Sequence, residues 1–100
     1  MNLADLDEVH YDLEVDGEQV RRQLARKTWE QRGWATVAVA FQERDAGGDW
    51  KPTKVAVLRF RRIHEMWKKQ AGITVSLDEA RALADTLGSW ASDAAISDAP

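Results

Sequence analysis

The sequence predicts an α+β fold in which antiparallel strands are followed by one C-terminal helix. Three observations support this prediction. Apolar and smaller side chains alternate over residues 34–43, a second strand pattern follows a glycine-rich loop at residues 51–63, and residues 77–91 carry apolar side chains at three- and four-residue spacing. A chain of 100 residues is long enough for one domain with its own core.

The clearest strand follows Gly33, and its side chains alternate between two faces. One face is strongly apolar and carries Ala35, Val37, Val39 and Phe41. The next strand begins near Pro52, where a missing backbone donor is tolerated. The intervening loop contains Gly47-Gly48, so an antiparallel hairpin is favoured. A third strand pattern, "ITVS", ends at Ser76.

The C-terminal helix has a recognisable start and one apolar stripe. Ser76 and Glu79 have the spacing of a capping box, and Asp78 and Glu79 favour the positive end of the helix dipole. One helix covers only part of a small sheet, so dimerisation would help to bury the rest. The stripe would either cover one face of the sheet or face a second copy of itself, and in the second case the dimer interface contains Leu83, Leu87 and Trp90.

Residues 20–32 are ambiguous between helix and strand. Val20, Leu24 and Thr28 fit a helical stripe, whereas Ala25 and Trp29 also fit one face of a period-two pattern. Periodicity by itself leans slightly toward helix.

Charge is distributed unevenly along this acidic chain, whose formal net charge is −3. Residues 1–19 contain seven acids and no Lys or Arg, whereas residues 20–75 contain 13 Lys and Arg against five acids, a net of +8. A basic middle segment favours a polyanionic partner, and a solvated surface with internal ion pairs is the alternative. We expect a loosely ordered acidic leader (1–18), a domain (19–91) and a flexible acidic tail (92–100).

Three stretches of the sequence resemble one known family. They are Gly33-Trp34 at the start of a strand, "KPTKVAVLRF" from residue 51, and "GITVSLDEARALADTL" from residue 72. Together they are similar to the positive-cofactor-four transcriptional coactivator family, in particular its bacterial YdbC-like branch, over roughly residues 20–90.

The resemblance implies a curved four-stranded antiparallel sheet followed by one helix, with residues 20–32 as the first strand. It also implies a homodimer formed largely through the helices. The implied activity is binding of single-stranded DNA with little sequence preference, in transcription, replication or repair.

The candidate contacts combine cations with aromatic rings. Arginine forks suit phosphate oxygens, lysines steer polyanions, and bases stack on tryptophan. We expect Trp34 to lie opposite the apolar strand face and Trp67 to be at least partly exposed. The candidate nucleic-acid-binding residues are Arg22, Arg26, Lys27, Trp29, Arg32, Trp34, Lys51, Lys54, Arg59, Arg61, Arg62, Trp67, Lys68 and Lys69.

The sequence offers no signal for an enzyme, a cofactor or a metal site. It has no cysteine, and its two histidines, His10 and His64, have no partner at metal-ligand or triad spacing. Phosphate-loop and dinucleotide fingerprints are absent. The sequence has neither a signal peptide nor an apolar run long enough to span a membrane, so we expect a cytoplasmic protein. Association with the nucleoid would be compatible with this location. We expect no small-molecule substrate.

Two alternatives stay open from the residues. The same basic sheet surface would suit RNA or an acidic protein segment, which makes an interaction module the competing function. In addition, the acidic leader would be autoinhibitory if it folded over the basic surface and competed with nucleic acid.

Overall fold

The computed structural model describes residues 2–100, and the leader's first residue, Met1, lies outside them. Within those residues the strands are β1 (Asn2–Leu3), β2 (Leu13–Val15), β3 (Glu18–Gln31), β4 (Trp34–Glu43), β5 (Lys54–Ile63) and β6 (Met66–Ser76). The helices are a 3₁₀ turn (Leu6–Glu8), α1 (Leu77–Ala91) and α2 (Ala94–Ser97). An α+β fold with a curled antiparallel sheet and a C-terminal helix is confirmed.

The predicted number of four strands is wrong, because the sheet formed by residues 2–100 has six. Their order is β1-β6-β5-β4-β3-β2, and neighbouring strands are antiparallel. The four long strands, β3 to β6, follow one another in the chain and correspond to the predicted four. Residues 20–32 lie mainly in β3, so their strand interpretation is confirmed. The two additional strands are short and lie at opposite edges.

The core lies on one side of the sheet, which we call the core face. Its buried residues on β4 and β5 are Ala35, Val37, Val39, Phe41, Ala56, Leu58 and Phe60. They occupy alternate positions, as the period of a strand requires. The opposite side, which carries Trp34, Thr36, Val55, Val57 and Arg59, is called the helix face here because α1 folds back over it.

The N-terminal segment, residues 2–15, crosses the core face from one edge of the sheet to the other. Leu6 and Val9 are buried in the core, and Leu3 and Tyr11 pack against it. The expectation of a loosely ordered leader therefore differs from the structure. Apolar residues lie between the acids of this segment. Burying a side chain such as Leu6 or Val9 stabilises the fold by about 1.5–3 kcal/mol.

Arg26 of β3 holds this segment in place. Its Nη1 donates to the carbonyl oxygens of Leu6 and Val9 at 3.1 and 3.0 Å. Its Nη2 donates to Oδ1 of Asp7 at 3.0 Å. The guanidinium thus gives the Val9 carbonyl a partner and adds a second donor to the Leu6 carbonyl, which also accepts from the backbone N–H of Val9.

Two irregularities change which side a strand residue faces. The β3–β4 register shifts between Gln23 and Ala25, which makes Leu24 an extra residue. The β5–β6 register shifts between Arg59 and Phe60, which makes Gln70 an extra residue. A bulge of this kind reverses the facing of every later residue relative to a simple alternation.

Helix α1 starts at the predicted cap but is poorly covered, and of the predicted capping box only the bond to the Ser76 side chain is present. The Oγ of Ser76 accepts a hydrogen bond from the backbone N–H of Glu79 at 3.2 Å. No residue of α1, which the structure describes in full, is buried. Between α1 and the sheet lies an open cavity of about 450 Å³, the helix groove, lined by Trp29, Ala38, Val55, Val57, Ile73, Val75, Ala80, Leu83, Ala84 and Leu87.

Residues 92–100 contain the short helix α2, in which all residues are exposed. Asp93 caps it by accepting from the N–H of Ala95 at 2.9 Å. Within residues 2–100, no helix combines the length and the apolar character that crossing a bilayer requires.

Three hairpin connections within residues 2–100 are two-residue turns with positive φ at both positions: Asp16-Gly17, Arg32-Gly33 and His64-Glu65. This geometry matches the twist of antiparallel strands. Glu65 adopts φ 66° and Gly33 adopts φ 77° at the equivalent second position. Glu65 therefore carries a Cβ in a conformation that disfavours one.

We predict that Glu65→Gly and Gly33→Ala change stability in opposite directions. Relief of the left-handed conformation should outweigh the flexibility of glycine, so Glu65→Gly should raise the free energy of unfolding by roughly 0.5–1 kcal/mol. Gly33→Ala should lower it by about 1 kcal/mol. Urea unfolding of both variants gives the values, and the same sign for both would contradict the turn geometry.

We also predict that Leu6→Ala lowers the free energy of unfolding by about 2–4 kcal/mol, because Leu6 is only 6% exposed and its loss leaves a cavity. Leu24→Ala is the matched control, since Leu24 is half exposed at the β3 bulge. Its change should stay within about 0.5 kcal/mol. Equal losses in urea unfolding would show that the N-terminal segment does not contribute to the core.

Candidate nucleic-acid interface

The helix face has a polar end and an apolar end. α1 lies over the apolar end, where Val55, Val57, Ile73 and Val75 meet it. The polar end lies near the turns at Arg32-Gly33 and His64-Glu65, because β4 starts there and β5 ends there. Strand alternation therefore brings aromatic and cationic side chains together beyond the reach of the helix.

Trp34 is the centre of the polar end. The guanidinium carbons of Arg59 and Arg61 lie 4.9 and 5.2 Å from the centre of its ring. Nη1 of Arg59 also donates to Oγ1 of Thr36 at 2.8 Å. Cations this close to an indole face are attracted to its quadrupole, so the two arginines are held over the sheet rather than free in solvent.

Beside Trp34 lies an open cleft of about 300 Å³, which we call the tryptophan cleft. Its lining is Trp29, Gln31, Arg32, Trp34, Thr36 and Arg59. Trp29 faces Thr36 across the β3–β4 pair, and Gln31 faces Trp34. No carboxylate occurs among these lining residues of the described chain, 2–100. The cleft thus offers flat rings, positive charge and hydrogen-bonding groups together.

Further cations border this cleft. Lys27 is on the same face as Trp29, with its Nζ 6.0 Å from that ring. Lys68 lies opposite Arg61 on β6. With Arg61 against Trp34, these residues place positive charge on both sides of the tryptophans. Lys68 and Lys69 both lie inside β6.

Arg22 lies on the helix face at the other end of the sheet, where it contacts the loop between β4 and β5. Its guanidinium carbon is 4.1 Å from the ring centre of Trp50, and that of Arg44 is 4.3 Å away. Nε and Nη2 of Arg22 both donate to Oε1 of Gln42. These contacts order the loop, and Trp50 lines neither the tryptophan cleft nor the helix groove. Lys51 is exposed in the same loop.

The remaining candidates lie on the core face and not at the cleft. Arg26 binds the N-terminal segment, and Lys54 is 3.7 Å from the carboxylate of Glu43. Arg62 and Lys69 are exposed on this side. The expectation that Trp67 is at least partly exposed is wrong, since only 5% of it is accessible. The Gln70 bulge and the pairing with Leu3 turn it into the core.

The acidic segment does not lie over the tryptophan cleft. Its buried residues, Leu6 and Val9, pack on the core face, and Asp7 pairs with Arg26 there. The cleft is on the opposite side of the sheet. The predicted competition between the leader and nucleic acid therefore has no structural basis at this cleft.

Among residues 2–100, no group of three or more His, Cys, Asp or Glu side chains is arranged to hold a metal ion.

Comparisons with protein-family models, with curated proteins and with solved structures found no match. The chemistry of the cleft must therefore be inferred from its own residues.

The arrangement suits a flat, anionic ligand. Indole rings offer surfaces for stacking, and guanidinium groups bind phosphate oxygens through paired donors. Sequence reasoning missed Gln31 and Thr36 as lining residues. Their signal was available, because both share the strand parity of Trp29 or Trp34 and Thr36 is two residues beyond Trp34.

We predict that acrylamide quenching separates Trp29 from Trp67. Trp29 is 53% exposed in the single protomer, so in dilute, monomeric protein Trp29→Phe should remove emission that is readily quenched. Trp67→Phe should remove protected emission instead. If Trp67→Phe removes the accessible emission, the register of β6 differs by one residue from that described here. Far-ultraviolet circular dichroism controls for folding of both variants.

Proposed function

We propose that the chain is a non-enzymatic protein that binds single-stranded nucleic acid, preferentially DNA, at the tryptophan cleft. The observation that supports it most directly is the cleft's composition. Trp29, Trp34, Arg32 and Arg59 converge there without an acidic lining residue among residues 2–100. The resemblance to the coactivator family points to the same activity.

Single strands fit this site better than duplexes. Bases in a duplex are already stacked, whereas an unpaired base can lay its face on an indole ring for about 1–3 kcal/mol. Every base has such a face, so little sequence preference follows. Arg59 and Arg61 would bind the backbone phosphates that flank the stacked base. The protein would act where strands are separated, in transcription, replication or repair in the cytoplasm or nucleoid.

A homodimer is part of the same proposal. Leu83, Leu87 and Trp90 form an exposed stripe on α1, and Trp90 is 54% exposed. A 15-residue helix is marginally stable without a buried face. The radius of gyration of the described chain is 16.3 Å, whereas a compact domain of its length has about 13 Å, so the single protomer is more extended than a compact domain. Association through α1 would cover the stripe.

We predict that Arg61→Ala weakens binding of an unstructured oligothymidylate roughly tenfold, because one charge-assisted phosphate contact is worth about 1.5 kcal/mol. Arg62→Ala is the matched control. It removes the same side chain at the next residue, where the strand points to the core face. Its effect should stay within about twofold. Fluorescence anisotropy at two salt concentrations measures both affinities. Arg61→Ala should also lower the slope of the logarithm of the binding constant against the logarithm of the salt concentration by about one.

Parallel titrations with RNA and with duplex DNA identify the ligand class. Tighter binding of duplex than of single strands would contradict the stacking proposal. Equal losses for Arg61→Ala and Arg62→Ala would contradict the choice of face. Absence of binding to any oligonucleotide at low salt would leave the interaction module, with an acidic protein partner, as the function.

A further inference from the structure

One residue belongs to two cavities on the helix face. Trp29 lines the tryptophan cleft together with Trp34 and Arg59, and it also lines the helix groove together with Leu83 and Leu87. The indole is therefore a common wall between the two cavities. A side chain that enters the helix groove therefore contacts the same Trp29 ring that lines the tryptophan cleft.

Trp29 is weakly held in the isolated protomer. It lies on β3, is 53% exposed, and Nζ of Lys27 is 6.0 Å from its ring centre. Trp34, by contrast, is held between the strands by Arg59 and Arg61. A base that stacks on Trp29 must first restrict this ring, and that ordering reduces the observed affinity.

The groove suits the α1 of a second copy of the chain. Its walls are apolar, and α1 presents a matching stripe that includes Leu87 and Trp90. The charges are also complementary. α1 carries Asp78, Glu79 and Asp85 against Arg81, whereas the sheet margin next to Trp29 carries Lys27. A two-fold arrangement would bury both stripes and both grooves with one set of contacts.

We propose that a second copy docked at the helix groove fixes Trp29 and thereby completes the tryptophan cleft. This inference rests on the proposed function. In the dimer the Trp29 ring is already ordered before the single strand binds. A dimeric chain therefore binds the single strand more tightly than a monomeric one. Linkage makes the effect reciprocal, and each bound oligonucleotide strengthens the dimer by the same factor.

The test compares wild type with Leu87→Glu, which places a charge in the groove and leaves the cleft residues intact. Ser89→Glu is the matched control, because it adds the same charge to an exposed position of α1 that lines neither cavity. Sedimentation gives the oligomeric state. Anisotropy with an oligothymidylate short enough for one cleft gives the affinity per protomer.

We expect wild type and Ser89→Glu to be dimeric and to bind alike. Leu87→Glu should be monomeric and bind about 5–30-fold more weakly. Dilution of wild type through its dissociation range repeats the comparison without a substitution, so a folding defect in Leu87→Glu cannot imitate the result. The difference in acrylamide quenching between wild type and Trp29→Phe should show that Trp29 becomes accessible on dilution.

Two failures can be told apart. A dimer that protects Trp29 in a chain without affinity for oligonucleotides overturns the proposed function but not the contact. Equal affinity of monomer and dimer, or a Trp29 emission that does not respond to dilution, overturns the coupling. A wild-type chain that is monomeric at all concentrations overturns it as well.

Discussion

The packing of Leu6 and Val9 on the core face is the contact on which the rest of the molecule depends. A sheet that is one layer thick has two sides, and a chain of 100 residues has few elements with which to cover them. The N-terminal segment covers one side, and Arg26 anchors it through backbone carbonyls. Because the N-terminal segment already occupies the core face, α1 and the tryptophan cleft both lie on the helix face.

Sharing one face explains the character of the candidate site. Apolar residues of β5 and β6 lie under α1, while the same strands carry Arg59, Arg61 and Lys68 where the helix does not reach. Trp29 lies at the boundary between these regions. Nucleic-acid binding and self-association would therefore compete for little surface, and they would meet at one side chain.

The sequence predicted the central strands, the capped helix and the facing of Trp34, because period-two and helical patterns are local properties. It did not predict which side Trp67 faces. The extra residue Gln70 reverses the alternation, and no residue type marks a bulge at that position. The N-terminal segment was missed for a different reason: its dense acids, with no Lys or Arg among them, predicted a solvated leader, although Leu6 and Val9 decide where it packs.

The course of the N-terminal segment also determines how the sheet ends. β1 pairs with β6 and β2 pairs with β3, so the segment supplies the outermost strand at both margins of the sheet. These outer strands have two and three residues. They cover only Trp67 and Lys68 of β6 and the first four residues of β3, so most of the outer backbone of both long strands has no neighbouring strand among residues 2–100. The bulges at Leu24 and Gln70 and the charged side chains of Arg26, Lys27 and Lys69 lie along these open margins, and both features discourage another chain from adding edge to edge.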